Sequence, residues 1–194
     1  MQQSLLQHIR QYIPLNKLEE KIISESISIL QVKKKTIIFE PGQSCKGNYF
    51  VGKGCLRLFF IDDKGVEQTT QFAIENWWIS DYTSLALKKK STFYLQAIED
   101  STIFLLETRT EELLFEQVPC LERYFRVMLQ RAYGASQHLA RYNHSLSKEA
   151  QYRHFVKSFP DFAERIPQYM LASYLGFTPE FLSKIRAKKV RTIS

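Results

Sequence analysis

The sequence is poor in the residues from which metal, redox and phosphate sites are usually built. It has three cysteines, Cys45, Cys55 and Cys120, with no CxxC pair, which argues against an iron–sulfur or zinc site and favours a reduced, cytoplasmic protein. No histidine lies between Lys33 and Val118. This excludes a cupin-type metal enzyme, which needs several histidines converging inside its barrel. The seven glycines form neither a phosphate-binding loop nor a nucleophile elbow. We therefore predict that the protein is not an enzyme and has no metal centre.

Long apolar runs are also missing. The first 14 residues mix Gln, His and Arg with apolar residues, and no later run approaches the roughly 18 apolar residues that a membrane helix needs. We expect neither a signal peptide nor a membrane span. The 194 residues, 44% of them hydrophobic, suffice for one or two domains with cores, and the net charge of +7 favours an anionic partner. The histidines fall on or beside expected helices and are expected at the surface: His8, His138, His144 and His154.

The chain changes from a helical to a strand-like period near Thr36. Apolar residues repeat at helical spacing over residues 4–12 and 15–30, which predicts two amphipathic helices. After Thr36, about seven short strands rich in β-branched and aromatic residues alternate with turn signals such as Pro41-Gly42. This spacing predicts a small β-sandwich or jelly-roll barrel.

A long helix is expected after the barrel, over residues 119–142. Its apolar residues form one stripe longer than two turns. Such a stripe needs a partner surface, either the rest of the chain or a second copy of the same helix. Asn143-His144-Ser145 is expected to end the helix and to mark a domain boundary. The residues assigned to a dimer face on this helix are Leu121, Phe125, Met128, Ala132, Ala135 and Leu139.

The C-terminal region predicts two short helices joined by a tight turn. Gly176 suits the left-handed conformation that ends a helix, and Thr178 and Pro179 fit the N-cap and first position of the next helix. The apolar residues expected to be buried by this second helix are Phe181, Leu182 and Ile185. This pattern is typical of a helix-turn-helix, whose second helix usually enters the major groove of DNA. From residue 181 to residue 194 there are five basic residues and no acidic one, which suits a phosphate backbone.

A β-barrel, a long helix and a helix-turn-helix, in this order, resemble the Crp/Fnr family of bacterial transcription regulators. Glu40-Pro41-Gly42 and Tyr49-Phe50-Val51-Gly52-Lys53-Gly54 are similar to the family's first barrel strands and glycine turn. Glu180-Phe181-Leu182-Ser183-Lys184 is similar to its Glu-x-x-Ser-Arg recognition pattern. The resemblance implies an α+β fold with an N-terminal jelly-roll barrel of the cyclic-nucleotide-binding type. Residues 1–142 would form a sensor domain with its dimerisation helix, and residues 143–194 a helix-turn-helix domain.

The same resemblance implies a sequence-specific, DNA-binding transcription regulator that acts as a homodimer on double-stranded DNA, with RNA polymerase as a further partner. Lys184 departs from the family's arginine, and lysine lacks the planar two-pronged donor that arginine offers to guanine. The residues implied in DNA binding are Thr178, Glu180, Ser183, Lys184, Arg186, Lys188 and Lys189.

Family members that bind cyclic AMP hold its phosphate with a Gly-Glu-Leu turn and a later Arg-Ser/Thr-Ala. The corresponding ligand-pocket residues here are Ser80, Asp81, Ser91 and Thr92. Asp81 can replace the carboxylate that binds the ribose. Ser91 stands where an arginine would pair with the phosphate, and lysines 88–90 are an alternative source of charge. We therefore expect no cyclic nucleotide cofactor bound in the usual way.

Family members usually carry a β-hairpin wing after the recognition helix, whereas this chain stops at Ser194. Phosphate contacts are therefore expected to fall on the basic tail. The alternative is a ligand-binding or protein-interaction module with a degenerate DNA-binding domain. Salt separates the two hypotheses, because DNA affinity falls linearly with the logarithm of the salt concentration.

Overall fold

The computed structural model of the protein describes residues 3–191, with side chains described as far as Ala187. The chain forms two compact units. One contains the chain up to Phe60 together with Gln71–Arg131, and the other contains Ile61–Thr70 together with the chain from Ala132. The helices are α1 Gln3–Arg10, α2 Lys17–Ser26, α3 Tyr82–Leu87, α4 Thr108–Gln117, α5 Cys120–Ser145, α6 Lys148–Ser158, α7 Pro160–Arg165, α8 Gln168–Tyr174 and α9 Pro179–Arg191. The strands are β1 Ile27–Val32, β2 Ile37–Phe39, β3 Gly47–Lys53, β4 Leu56–Ile61, β5 Glu67–Ala73, β6 Trp78–Ile79, β7 Tyr94–Ala97 and β8 Ser101–Glu107.

The second helix is shorter than the sequence predicts. α2 begins at a capping box, in which Asn16 Oδ1 accepts a hydrogen bond from Glu19 N (2.9 Å) and Glu19 Oε2 accepts one from Asn16 N (2.8 Å). The helix ends at Ser26, and the next six residues form β1, which pairs antiparallel with β8. The prediction of a helix through residue 30 is therefore wrong. The β-branched residues of this segment favour a strand once β8 offers them a partner.

Seven further strands follow, in agreement with the number that the sequence predicts, and the eight strands of the described residues form two four-stranded sheets. The strand order is β1-β8-β3-β6 in one sheet and β2-β7-β4-β5 in the other. Within residues 3–191 the ladders leave two separate sheets rather than a closed barrel. The predicted β domain is thus confirmed in its strands and sheets, and barrel closure is not. One buried apolar cluster takes side chains from both sheets: Phe39, Cys45, Tyr49, Val51, Leu56, Leu58, Ala73, Ile79, Leu95, Ala97, Ile103 and Leu105.

A second apolar cluster joins the helices of the first unit to β3 and β8. Its members are Leu5, Ile9, Ile13, Ile23, Ile27, Phe50, Phe104, Leu106, Leu114, Val118, Leu121 and Tyr124. The start of α5 is therefore a core element of this unit, because Leu121 and Tyr124 are both almost fully buried.

A buried hydrogen-bonded chain of side chains crosses this cluster. Trp78 Nε1 donates to the hydroxyl of Tyr124 (2.8 Å), which lies 2.8 Å from His8 Nδ1. Because indole nitrogen can only donate, the Tyr124 oxygen accepts from Trp78, and the same hydroxyl forms a second hydrogen bond with His8 Nδ1. His8 is buried, so its predicted surface location is wrong. Its partner lies 116 residues away in the chain.

The second unit has a small helical core. Phe155, Phe162 and Leu171 are buried in it, and the Phe155 and Phe162 rings are 5.9 Å apart. α5 continues through the segment that was expected to break it and ends at Ser145. Gln151 Nε2 closes this end by donating to the carbonyls of Tyr142 and Leu146, both at 3.1 Å.

The segment Ile61–Thr70 also belongs to this second unit. Ser173 Oγ on α8 donates to the carbonyl of Glu67 and accepts from the backbone N–H of Thr69, both at 2.8 Å. At the tip, Asp62 Oδ1 accepts from the backbone N–H groups of residues 64 and 66. One serine hydroxyl thus joins this segment to the first helix of the predicted helical pair.

Candidate ligand pocket and candidate nucleic-acid interface

Three of the four predicted pocket residues are used in internal hydrogen bonds. Asp81 is the N-cap of α3 and accepts from Ser84 N (3.0 Å), while its second carboxylate oxygen accepts from Ser91 Oγ (2.7 Å). Asp81 and Ser91 are only 4% and 2% exposed. Ser91 Oγ in turn accepts from the backbone N–H of Phe93 (3.0 Å). The residues predicted to face a ribose and a phosphate are therefore hydrogen-bonded to each other.

The other two predicted pocket residues, Ser80 and Thr92, do not take part in the Asp81–Ser91 hydrogen bond. Ser80 is buried and its hydroxyl donates to the carbonyl of Gly47 (2.8 Å), with Cys45 Sγ at 3.3 Å. Thr92 is exposed. A ligand that needed the hydroxyl of Ser80 or Ser91 would have to break an existing buried bond, at a cost of about 1–3 kcal/mol for each group left unpaired.

The space between the sheets is occupied by apolar side chains. Tyr49, 1% exposed, packs there with its ring centroid 5.9 Å from that of Phe39. Burial is the main cause that raises the pKa of the Tyr49 hydroxyl well above its usual range. Such an interior suits a core rather than a polar nucleotide.

The lysines that could supply charge lie at the far end of α3. Lys88 takes the left-handed conformation (φ 51°) that ends the helix, and Lys89 follows it; both are exposed. They line a cavity of ≈ 200 Å³ with Ser44, Cys45, Ser84, Leu85 and Thr108. Neither Asp81 nor Ser91 lines this cavity.

The turn between α8 and α9 has the geometry that the sequence predicts. Gly176 has a φ of 69° and its N–H donates to Ser173 O (3.0 Å), while Phe177 N donates to Ala172 O (2.8 Å). These two bonds close the end of α8. Thr178 Oγ1 accepts from Phe181 N (3.2 Å), which confirms Thr178 as the N-cap of α9.

The predicted DNA-binding side chains share the exposed side of α9. Glu180, Ser183, Lys184 and Arg186 are exposed. The pKa of Glu180 is lowered by its own backbone N–H, by the Thr178 hydroxyl and by the charge of Lys184, so its carboxylate stays ionised at neutral pH. The side chains of two further predicted contacts, Lys188 and Lys189, lie outside the described residues.

The buried side of α9 differs from the prediction at one residue. Leu182 and Ile185 are 1% and 7% exposed, as predicted, whereas Phe181 is 42% exposed. Phe181 lies in the first turn next to the capping residue, where its ring contacts Phe177 instead of the core. The spacing of apolar residues along the helix could not predict the exposure of Phe181. The direction in which the preceding loop enters α9 decides which side of the first helical turn faces the core.

The helix assigned to dimerisation is exposed over only part of its predicted stripe. Leu121 is 1% exposed inside its own subunit's core, so its assignment to a dimer face is wrong. Phe125 and Met128 are partly buried against the same cluster. Further along, Ala132 and Ala135 are exposed and Leu139 is half-buried. Two exposed apolar residues that the stripe omitted are Leu129 (47%) and Tyr133 (67%).

No helix among the described residues combines the length and apolar character needed to cross a bilayer. In the same part of the chain, no three histidine, cysteine or carboxylate side chains come together as a metal site would require.

Comparison with known proteins agrees with this architecture. Residues 29–117 match the cyclic nucleotide-binding domain family. The anaerobic regulatory protein of Haemophilus influenzae is 23% identical over 178 residues, covering 84% of this chain and 68% of that protein.

Solved structures share the fold over most of the chain. A transcriptional regulator of the Crp/Fnr family from Eubacterium rectale has 18% identity and a TM-score of 0.69, covering 93% of this chain and 88% of that one. FixK2 from Bradyrhizobium japonicum has 14% identity and a TM-score of 0.71, covering 86% and 85%. The chain thus contains a segment that matches the cyclic nucleotide-binding domain family, and over most of its length it is similar in fold to regulators of the Crp/Fnr family.

Proposed function

We propose that the protein regulates transcription by binding specific DNA sequences, with α8 and α9 as a helix-turn-helix and α9 as the recognition helix. The observation that carries this proposal is the exposed side of α9. It combines an ionised carboxylate, a hydroxyl and two cations immediately after a capped, glycine-closed turn. These are the groups that read base edges and bind phosphates in a major groove.

Each side chain has a role set by its chemistry. Glu180 is suited to accept a hydrogen bond from the amino group of cytosine, and Lys184 to donate to guanine. Ser183 can donate or accept, so it tolerates either partner. Arg186 and the basic tail beyond it are suited to phosphates. Thr178 acts mainly on the helix, since its hydroxyl is engaged in the N-cap.

A homodimer in the cytoplasm, paired through α5, is part of the proposal. The pairing surface would use Phe125, Met128, Ala132, Ala135 and Leu139, because Leu121 is committed to its own core. Two recognition helices would then lie about one DNA turn, roughly 34 Å, apart and read a pseudo-palindromic site. RNA polymerase is the further partner expected of such a regulator.

We also propose that cyclic AMP does not bind in the usual mode, because Asp81 and Ser91 are hydrogen-bonded to each other and an apolar cluster fills the space between the sheets. The alternative of an interaction module with a degenerate DNA-binding domain is not favoured, since the relative and the structural neighbours are regulators.

The test is selection of binding sites from a random duplex library with the whole protein. We expect a pseudo-palindromic consensus. Lys184→Ala should relax the preference at one position of each half-site by about 1–3 kcal/mol. Lys53→Ala, which removes an exposed lysine at the end of β3, is the control and should leave the consensus unchanged. Failure to enrich any sequence would contradict the proposal.

A further inference from the structure

Phe181 is an exposed aromatic residue on an otherwise polar side of α9. Glu180 precedes it in the chain and Lys184 follows about one turn later, and both are exposed. Residues three apart on a helix are surface neighbours, so Phe181 and Lys184 occupy adjacent positions on the surface of α9. The core of α9 is already supplied by Leu182 and Ile185. The ring contacts Phe177, yet 42% of the residue stays exposed, so packing within the chain accounts for only part of its surface.

The position of Phe181 is fixed by local contacts. Its backbone N–H is held by the Thr178 hydroxyl at 3.2 Å. Its ring packs edge-on against Phe177, with centroids 5.7 Å apart and an interplanar angle of 80°. The Lys148 ammonium lies 5.3 Å from the centroid of the Phe177 ring. The aromatic ring is thus presented in the first turn of α9 by a pre-organised support, which lowers the entropy lost when it makes a contact.

The charged side chains near Phe181, Glu180 and Lys184, offer no apolar contact to a base. Glu180 and Lys184 suit cytosine and guanine, whereas an A·T pair is marked in the major groove by the C5-methyl group of thymine. That methyl is the apolar feature of the groove, and phenylalanine is among the side chains that contact it.

We propose that Phe181 reads thymine by apolar contact with the C5-methyl group in each half-site. This inference rests on the proposed function and adds a specificity-determining residue to it. Lys184 and Arg186 are exposed cations on the same helix and favour binding to the phosphates of DNA. The charge of α9 therefore favours a thymine-containing major groove over an apolar protein as the partner of Phe181.

The test removes the methyl group and the ring separately. Each thymine of the selected site is replaced by deoxyuridine, and affinity is measured by fluorescence anisotropy with the whole protein. At one position per half-site, loss of the methyl should weaken wild-type binding about fourfold, the effect of burying one methyl-sized group. Phe181→Ala should bind the thymine and deoxyuridine duplexes equally.

A matched control is Phe159→Ala, since Phe159 is 41% exposed but lies before α7 rather than on α9. It should keep the fourfold methyl effect. Wild-type binding that ignores the methyl at every thymine, or a methyl effect that persists in Phe181→Ala, would overturn the inference while leaving DNA binding intact. Absence of any selected sequence would instead overturn the proposed function together with it.

Discussion

The Asp81–Ser91 hydrogen bond should be a strong structural contact rather than an open half of a ligand site. The perturbation is a double-mutant cycle of Asp81→Ala, Ser91→Ala and the pair, measured by urea unfolding. The bond is 2.7 Å long, joins a hydroxyl to a carboxylate, and both residues are at most 4% exposed. Hydrogen bonds to charged groups contribute about 1.5–3 kcal/mol to stability.

The two single variants should differ in cost. Asp81→Ala also removes the N-cap of α3, which adds about 1 kcal/mol to its cost. Ser91→Ala removes one donor to the carboxylate and one acceptor for the backbone N–H of Phe93. Because both variants lose the same bond, the double variant should be less destabilised than the sum of the two by about 1.5–3 kcal/mol.

An exposed pair gives the control for this cycle. Lys33 Nζ and Asp100 are 2.9 Å apart, but both side chains are largely exposed, so solvent screening should leave a much smaller coupling. Cyclic AMP added to the wild-type protein should leave the unfolding midpoint unchanged, whereas a ligand at 100 times its Kd would add about 2.7 kcal/mol. If the losses of stability caused by Asp81→Ala and Ser91→Ala simply add in the double variant, the proposed coupling is refuted. Stabilisation by cyclic AMP would likewise contradict the proposal that it does not bind in the usual mode.

The remaining predictions concern stability and assembly. Burial, and secondarily the charge of Arg131, lowers the pKa of His8 below its ordinary value of 6.5. Stability should therefore be full above pH 6.5 and fall as the pH drops through that value, because only the unfolded chain then takes up the proton. Urea unfolding of His8→Gln should show a weaker pH dependence; an unchanged profile would contradict the assignment. Gly176→Ala should lower the free energy of unfolding by about 1–2 kcal/mol because of the left-handed φ alone, since an added Cβ would meet nothing closer than 3.7 Å. A change near zero would contradict this expectation. Leu139→Glu should sediment as a monomer, and a persistent dimer would exclude this part of α5 from the interface.

The features of the fold that depend on residues close together in the sequence could be predicted from it. The turn at Gly176 and the cap at Thr178 are set by local backbone chemistry, and both occur as expected. Strands β2 to β8 agree in number with the short strands that the sequence predicts after Thr36. The segment after Ser26 forms a strand instead of the predicted helix, because its apolar spacing fits both periods and only pairing with β8 selects the strand.

The parts that depend on distant residues could not be predicted. His8 is buried because Tyr124 offers its hydroxyl from α5, and Leu121 is buried because α5 begins within the core of the first unit. The pairing of Asp81 with Ser91 joins residues ten positions apart, across the end of α3. The resemblance to cyclic-AMP-binding family members implied these two as pocket candidates, but only the tertiary structure shows that each is the partner of the other.

The measurement that tests the central claim most directly is a salt titration of the whole protein on its selected duplex and on a scrambled duplex, by fluorescence anisotropy without added nucleotide. We expect tight binding to the selected duplex, and a logarithm of affinity that falls linearly with the logarithm of salt concentration on both. The selected duplex should bind at least about a thousandfold more tightly at physiological salt. Equal affinity for the two duplexes, or no binding at low salt, would contradict the account of this chain as a sequence-specific DNA-binding regulator.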